Sequence, residues 1–145
     1  MAITSAICTS FKQELLVGTH NFTATTGNTF KIALYTSSAT LGAGTTAFSS
    51  TNEITNSSGT AYTSGGASLT SVTPTTDSTT AVCDFADVSF TSASFTANCA
   101  LIYNSSQSNK AVAVIAFGGD KTVSSGTFTI QFPTADATNA IIRLA

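Results

Sequence analysis

Charge is the scarcest property of this sequence. Asp, Glu, Lys and Arg make up 8% of its 145 residues, whereas a soluble domain normally carries about 25%. Hydrophobic residues contribute 42% and the net charge is only −2, so the chain lacks the low hydrophobicity and high charge of disordered proteins. Its five basic residues are scattered, and no cluster of them could neutralise nucleic-acid phosphates. We therefore expect a folded domain that does not bind nucleic acid.

The sequence also contains only one histidine, His20. A nucleophilic triad needs a base, and His20 could pair with the thiol of Cys8. However, Cys8 lies in an arm-like segment, no nucleophile turn is present, and a lone histidine after a helix is typically a capping or surface residue. We therefore predict that the protein is not an enzyme and has no catalytic residue.

Closely spaced acids are limited to Asp84 and Asp87, with Asp77 nearby. Three residues apart on a strand, Asp84 and Asp87 point to opposite faces unless a bulge intervenes. A Ca²⁺ site with loop carbonyls is an alternative because Ca²⁺ tolerates irregular oxygen cages, but two solvated acids beside a turn are the simpler interpretation. No Walker A, Rossmann, EF-hand, zinc or haem pattern occurs. We expect no cofactor and no metal.

Cysteine and long apolar runs are also scarce. Cys8, Cys83 and Cys99 form an odd set without metal-ligand spacing, so we expect buried free thiols, with a Cys83–Cys99 disulfide as the alternative. The longest apolar run, residues 111–117, is about a third of the roughly 20 residues that a membrane helix needs. The N-terminus lacks the features of a secretory signal, so we expect synthesis in the cytoplasm.

One helix signal is present, near the N-terminus. Ser10 begins a Ser-x-x-Gln capping box, and Phe11 and Leu15 fall on one helix face. Gly18 stands where a left-handed residue would end the helix after about two turns. So short a helix is not stable alone, and it must dock on the rest of the chain or on another subunit. The uncharged residues 1–9 before it could be an arm that crosses an interface or a frayed terminus.

From residue 29 onward the hydrophobic pattern has a period of two. Residues 37–80 read as long ordered loops around short strands, with a flexible tip at 56–59 and a bend at Gly65 and Gly66. Gly118 and Gly119 are predicted to end a strand. Alternating or continuous apolar segments predict strands at residues 29–35, 81–85, 88–90, 94–103, 111–117, 127–133 and 140–144.

About six to eight strands without intervening helices indicate an all-β fold. We predict an antiparallel β-sandwich, jelly-roll-like, with one short N-terminal helix. A small barrel is the alternative. Residues 1–22 form the N-terminal arm and short helix, and residues 23–145 form a single β-sandwich domain.

The charge deficit also bears on assembly. Ser and Thr supply about a third of the residues, so hydroxyl groups fill the surface role that charges usually have. Few charges oppose self-association, and the core of an interface is poor in charge. We predict a homo-oligomer, with a trimer as first choice, whose charged residues lie on the face left exposed after assembly. Its interface should involve apolar residues of the arm and helix: Ile3, Ile7, Phe11, Leu15, Leu16 and Phe22.

Several segments of the chain carry packing motifs. Residues 10–18 read SFKQELLVG and are followed by His20, Phe22 and the strand at 30–35; later come ALIYN at 100–104 and GTFTIQFP at 126–133. Together these segments resemble small virion structural proteins of tailed bacteriophages, and the resemblance covers most of the chain. It implies a β-rich subunit present in many copies on the virion, on the capsid surface or tail, after synthesis in the host cytoplasm. It supplies no catalytic residue.

Among virion components, the resemblance favours a capsid decoration (cement) protein that binds the outer capsid and stabilises contacts between major-capsid subunits. Such a protein adds many weak contacts and resists disassembly through avidity. A tail, neck or fibre-base component is an alternative. Another is a carbohydrate-binding, adhesin-like β-sandwich, although Tyr35 and Tyr103 fit strand patterns better than exposed sugar platforms. The expected partners are other copies of the chain and the major capsid protein or other virion proteins, and we expect no membrane partner.

Overall fold

Residues 3–55 and 62–145, which the computed structural model describes, contain one short helix and eight strands. The predicted loop tip at 56–59 lies outside the described residues. Within them, no helix is long and apolar enough to cross a membrane. The all-β prediction with one N-terminal helix is confirmed. In chain order the elements are β1 (Ala6–Ile7), α1 (Thr9–Leu16), β2 (Phe30–Tyr35), β3 (Ala67–Ser68), β4 (Ser71–Asp77), β5 (Thr80–Phe85), β6 (Val88–Asn104), β7 (Lys110–Ile130) and β8 (Ile142–Leu144).

The strands form two antiparallel sheets. The larger has the order β1-β7-β6-β2-β3, and the smaller has the order β4-β5-β8. Residues 99–104 of β6 pair with β7 on one side and with β2 on the other. Residues 111–114 of β7 are all buried, as a continuous apolar run predicts for a strand covered on both faces. The β6–β7 hairpin is therefore the centre of the larger sheet.

Phenylalanine rings join the two sheets. Phe30 of β2 stacks on Phe22 with ring centroids 4.3 Å apart, and it lies 5.7 Å from Phe85 of β5. Phe85 in turn lies 5.7 Å from Phe132, which follows β7. All four side chains are buried. Aromatic pairs of this kind add about 0.5–1.5 kcal/mol each beyond the burial of their area, so the cluster holds the smaller sheet against the larger one.

Helix α1 begins one residue before the predicted capping box. Its N-cap is Cys8, which makes no side-chain cap hydrogen bond. The first helical amide, Thr9 N–H, donates to Ala43 O at 2.8 Å. Ser10 lies inside the first turn, and its buried hydroxyl has no hydrogen-bond partner among the described residues. The predicted capping box is therefore wrong, because a loop carbonyl supplies an acceptor to the amides at the start of the helix.

The end of α1 agrees with the sequence prediction. Gly18 has a φ of 74°. Its N–H donates to Leu15 O at 3.1 Å, and Thr19 N–H donates to Glu14 O at 2.9 Å. This pair of bonds is a Schellman motif, and it holds the last helical turn, with Leu16, in a defined direction.

The N-terminal segment is part of the chain's own sheet. Strand β1 pairs antiparallel with residues 113–114 of β7, and Ser5 Oγ accepts a hydrogen bond from Ala116 N–H at 2.9 Å. Residues 5–7 therefore form neither a free arm nor a frayed terminus, because the edge of β7 satisfies their backbone groups.

Strands β6 and β7 are longer than the sequence predicts. Gly118 and Gly119 lie inside β7, and both have positive φ. The pairing register shifts opposite them, between Ala97 and Cys99 of β6. The two glycines therefore belong to a bulge rather than a strand end, and the strands predicted on either side of them are one strand.

Beyond the bulge the hairpin continues as a two-stranded ribbon, formed by residues 88–97 of β6 and 121–130 of β7. In the described part of the chain, no third strand pairs with this ribbon. One face carries the buried side chains of Phe90, Ala93 and Phe95. The opposite face is open to solvent.

The predicted bend in the long loop region is confirmed. Gly65 and Gly66 have φ of 91° and 75°. The region also contains β3 and β4, and Pro74 lies in β4 where the register shifts between Val72 and Thr75. Proline fits there because β4 is the edge strand of the smaller sheet.

We expect Gly66→Ala to destabilise the fold strongly. A Cβ at this position would lie 1.8 Å from Ile32 O, and positive φ strains any residue that has a side chain. The free energy of unfolding, measured in urea, should fall by more than about 2 kcal/mol. Gly42→Ala is the matched control, because a Cβ there meets no described atom within 4 Å. Equal stabilities of the two variants would contradict the assigned bend.

Candidate functional site

A buried polar network joins α1 to the turn of the β6–β7 hairpin. Glu14 Oε2 lies 2.7 Å from His20 Nε2, and Glu14 Oε1 lies 3.0 Å from Lys110 Nζ. On the other side of the ring, Asn104 Nδ2 lies 2.9 Å from His20 Nδ1 and 2.9 Å from Asn28 Oδ1. We term these five side chains the Glu14 network. They connect the helix, the segment after it and both ends of the hairpin turn.

Backbone amides determine how the protons of this network are arranged. Asn21 N–H donates to Asn28 Oδ1. Ser106 N–H donates to Asn104 Oδ1. These bonds identify the side-chain oxygens of Asn28 and Asn104. Asn104 Nδ2 is therefore the donor to both His20 Nδ1 and Asn28 Oδ1. His20 Nδ1 must then accept a hydrogen bond, and His20 Nε2 carries the proton that is donated to the carboxylate.

This arrangement leaves His20 no free nitrogen for catalysis. The residue is buried, so its interpretation as a capping or surface residue is wrong: a helix carboxylate and a hairpin amide enclose the ring. Burial and the nearby Glu14 charge raise the pKa of the Cys8 thiol to about 11, which is the opposite of what a nucleophilic thiolate requires. The Cys8 and His20 pair therefore lacks the properties of a nucleophile and its base.

The Glu14 carboxylate keeps its charge in the interior. Burial raises the pKa of Glu14, but hydrogen bonds from His20 and Lys110 and the positive charge of Lys110 outweigh this effect, and the net pKa lies below the usual 4.5. A buried charge is tolerated when it is paired and hydrogen-bonded. The network therefore has a structural role, which is to fasten α1 onto the hairpin.

A second buried carboxylate anchors the long loop. Glu53 Oε1 accepts hydrogen bonds from Tyr62 Oη and from Gly65 N–H, both at 2.6 Å. Its Oε2 accepts from Ser64 Oγ at 2.8 Å. Tyr62 Oη also accepts from Leu34 N–H at 2.9 Å, and burial together with the bond to Glu53 raises the pKa of Tyr62 well above its usual range. One carboxylate thus ties positions 62–65 to residue 53 and, through Tyr62, to β2.

The acids considered for Ca²⁺ bind separate backbone groups. Asp84 Oδ1 accepts from Phe85 N–H, and Asp87 Oδ1 accepts from Phe132 N–H, each at 2.8 Å. In residues 3–55 and 62–145, no group of three or more His, Cys, Asp and Glu side chains could hold a metal ion. The two carboxylates therefore act as local acceptors for the backbone.

Five of the six residues predicted for an interface are partly or fully buried within the chain, and Leu16 alone of the six is exposed. Ile3 and Ile7 are half-buried on the N-terminal segment, and Ile3 lines a cavity of about 610 Å³ that it shares with the loop at 39–49. Phe11 and Phe22 are 1% and 8% exposed and belong to the core. In this chain Phe11 and Phe22 leave little surface for another subunit to contact.

An apolar groove lies between α1 and the smaller sheet. Leu15 is half-buried and lines this groove, whereas the next residue, Leu16, is 88% exposed. The groove has a volume of about 170 Å³. We term it the α1–sheet groove. Its sheet side was not identified from the sequence, because apolar residues of β5 and β8 carry the same pattern as any strand core. The lining includes Phe11, Leu15, Phe22, Cys83, Ile142 and Leu144.

The solvent face of the ribbon is a second candidate surface. Apart from Lys121, every exposed residue of the ribbon is serine or threonine. Ser89 Oγ and Thr129 Oγ1 are 2.8 Å apart, and so are Thr96 Oγ1 and Thr122 Oγ1. Cross-strand pairs of this kind contribute roughly 0.2–1 kcal/mol each. The ribbon therefore presents an ordered and almost uncharged array of hydroxyl groups.

Comparisons of this chain with protein-family models, with curated proteins and with solved structures found no match. The two candidate surfaces and the two carboxylate networks are therefore interpreted from their own geometry.

We expect Glu14 to make stability depend on acid pH. The pKa of Glu14 is lower in the folded chain than the usual 4.5. Its contribution to the free energy of unfolding is therefore complete above pH 4.5 and is lost as the pH falls through the folded pKa. Glu14→Gln should lower the free energy of unfolding near neutral pH by about 1.5–3 kcal/mol, the range for hydrogen bonds to charged groups. It should also reduce the further loss on acidification. Urea unfolding at neutral and acid pH measures both effects.

The control for Glu14 is Asp120→Asn, which changes an exposed carboxylate that is bonded to Asn98. This variant should unfold like the unmodified chain. If Glu14→Gln retained the full acid dependence, the role assigned to Glu14 would be refuted.

The three cysteines are buried with free thiols. Burial raises the pKa of Cys83 to about 12 and that of Cys99 to about 11. We expect no thiol to react with iodoacetamide in the folded chain, because the thiolate is the reactive form. All three should react after denaturation without a reductant, and mass spectrometry counts the adducts. Fewer than three adducts on the denatured, unreduced chain would reveal a disulfide.

Proposed function

We propose that this chain is a non-enzymatic virion structural protein, a capsid decoration (cement) protein. It binds the outer capsid as a homo-oligomer, with a trimer as first choice, and stabilises contacts between major-capsid subunits. The observation that carries the proposal is the ordered hydroxyl face of the ribbon. The resemblance to small virion proteins of tailed bacteriophages gives the class of particle.

The ribbon has the properties of a surface that is covered after assembly. Burying a neutral hydroxyl costs far less free energy than burying a charge, and the one charged residue of the ribbon, Lys121, pairs with buried Ala97 on the other face. Each hydroxyl can donate and accept hydrogen bonds. The cross-strand pairs, such as Thr96 with Thr122, already restrict the side chains, which lowers the entropy lost on binding. A modest contact of this kind, repeated in every subunit of an oligomer, gains strength through avidity.

The buried ionisable groups support a structural role. Glu14 and His20 bind each other, and Glu53 accepts three hydrogen bonds from its own loop. Each of these groups, which acid–base catalysis commonly uses, is held by partners inside the chain. Their geometry is that of supports for the fold.

The adhesin-like alternative has less support. Tyr35, Tyr62 and Tyr103 are at most 2% exposed, and within the described residues no aromatic side chain is in an exposed position. Small-molecule sites are usually lined by accessible apolar and aromatic side chains. A tail, neck or fibre-base component would need the same kind of uncharged contact surface. The position of the subunit on the particle therefore distinguishes this alternative from a cement protein.

We expect electron microscopy of tailed-phage particles with and without this chain to show additional density on the outer capsid at the junctions of major-capsid subunits. Particles that carry the chain should also resist heat or chelation better than particles that lack it. Density on the tail or neck would refute the cement role in favour of the alternative virion position. The absence of any bound chain would refute the virion proposal.

A paired variant tests the ribbon. Thr96→Lys combined with Thr122→Lys should weaken binding to particles that lack the chain by at least about tenfold, because two charges would have to be buried. Thr134→Lys combined with Thr138→Lys is the matched control, since these exposed threonines lie outside the ribbon and do not line the α1–sheet groove. Unfolding curves verify that both variants fold. If the ribbon variant bound like the control, the capsid contact would lie elsewhere.

A further inference from the structure

Of the four exposed large apolar residues in the described ranges, one lines the α1–sheet groove and two follow a groove residue in sequence. Leu16 is 88% exposed, Val17 is 66% exposed and Leu144 is 59% exposed. Leu144 lines the α1–sheet groove, and Leu16 and Val17 directly follow Leu15, which also lines it. Val72, at 44%, completes the set of exposed large apolar residues in the described ranges. Exposed apolar side chains beside an apolar groove are typical of an interaction site.

The groove itself suits one aliphatic side chain. Every residue that lines it is apolar, so a polar or charged group would lose its hydrogen bonds with water on entering. Its volume is about 170 Å³, and a cavity of about 150 Å³ is large enough to bind benzene. One leucine side chain therefore fits.

Leu16 has the size and rigidity to fill such a groove. It occupies the last turn of α1, directly before the Schellman motif made by Gly18 N–H and Thr19 N–H. The backbone beneath the side chain is therefore held in place, and little conformational entropy is lost when the side chain docks. Lys12 lies one turn earlier on the same side of the helix and is exposed; its long stem lets the ammonium group turn to solvent.

We propose that the α1–sheet groove receives Leu16 of a second copy of this chain. The chain carries both the projecting leucine and a groove of matching size and polarity beside it, so two copies can each insert Leu16 into the other about a twofold axis. A closed ring of three copies satisfies each groove in the same way. The inference rests on the homo-oligomer of the proposed function, and it gives that oligomer its contact.

A cross-link tests which residue enters the groove. Leu144 lines the groove and is 59% exposed, so in a double variant with Leu16→Cys and Leu144→Cys the thiol at position 16 of one copy should meet the thiol at position 144 of the next. In buffer containing copper phenanthroline as oxidant, we expect a disulfide-linked species of two or more chains on a non-reducing gel. Each single variant should form markedly less of it. No linkage of the double variant, equal linkage of a single variant, or a disulfide formed only within one chain would overturn the proposal.

Self-association provides an independent measurement. In sedimentation velocity of the purified chain without particles, Leu16→Arg should weaken association by at least about a hundredfold, since burial of one leucine in each of two grooves is lost. Val72→Arg, at an exposed position outside the groove, should associate like the unmodified chain. An unmodified chain that stays monomeric at about 100 μM would overturn the inference.

The two proposals fail separately. A chain that self-associates through Leu16 but binds no virion would refute the proposed function and leave the Leu16 contact intact. A chain that decorates capsids while Leu16→Arg oligomerises normally would leave the function intact and refute the contact.

Discussion

The hydrogen bond between the Glu14 carboxylate and the His20 ring is the contact on which the N-terminal part of the fold depends. Helix α1 has eight residues and is too short to be stable alone. When the helix docks, the ring centroid of Phe11 lies 4.8 Å from that of His20 and 5.9 Å from that of Phe22. These contacts connect the helix to the aromatic rings between the sheets. Removing His20 would leave the buried Glu14 carboxylate with Lys110 as its one remaining partner, a destabilising change.

The same network couples the helix to the hairpin. Asn104 is the last residue of β6 and Lys110 is the first residue of β7, so the network contacts both ends of the hairpin turn. The strands that diverge from this turn continue into the ribbon. The hydroxyl surface therefore lies at one end of the β6–β7 hairpin, and the Glu14 network holds the turn at the other end.

Not all of the charged residues contribute to the surface of this protein. Both glutamates of the chain, Glu14 and Glu53, are buried and hydrogen-bonded, so the surface is even less charged than the composition suggests. The hydroxyl groups of the ribbon form hydrogen bonds with water, and a neutral hydroxyl costs less free energy to bury than a charge. Leu16 and Val17, at the end of α1, lie outside the ribbon and are suited to an apolar contact.

Local patterns located several elements correctly. The apolar segments at 29–35 and 81–85 correspond to β2 and β5, and both strands are largely buried on both faces. Gly18 was identified as the end of α1 because positive φ favours glycine whatever surrounds it. Gly118 and Gly119 lie inside β7 and do not end a strand as their pattern predicts, since a glycine pair fits a turn or a bulge equally well and only the partner strand distinguishes them.

Contacts between distant positions account for what the sequence did not reveal. The amide at the start of α1 finds its acceptor at Ala43, and His20 finds its partners at Glu14 and Asn104. By itself, the sequence determined the strand alternation, the end of the helix and the poverty of charge, because these depend on neighbours along the chain. Only the tertiary structure decided which polar groups are buried, where the groove lies and how far the ribbon extends, because the partners that satisfy those groups are far apart in sequence and meet only in the folded chain.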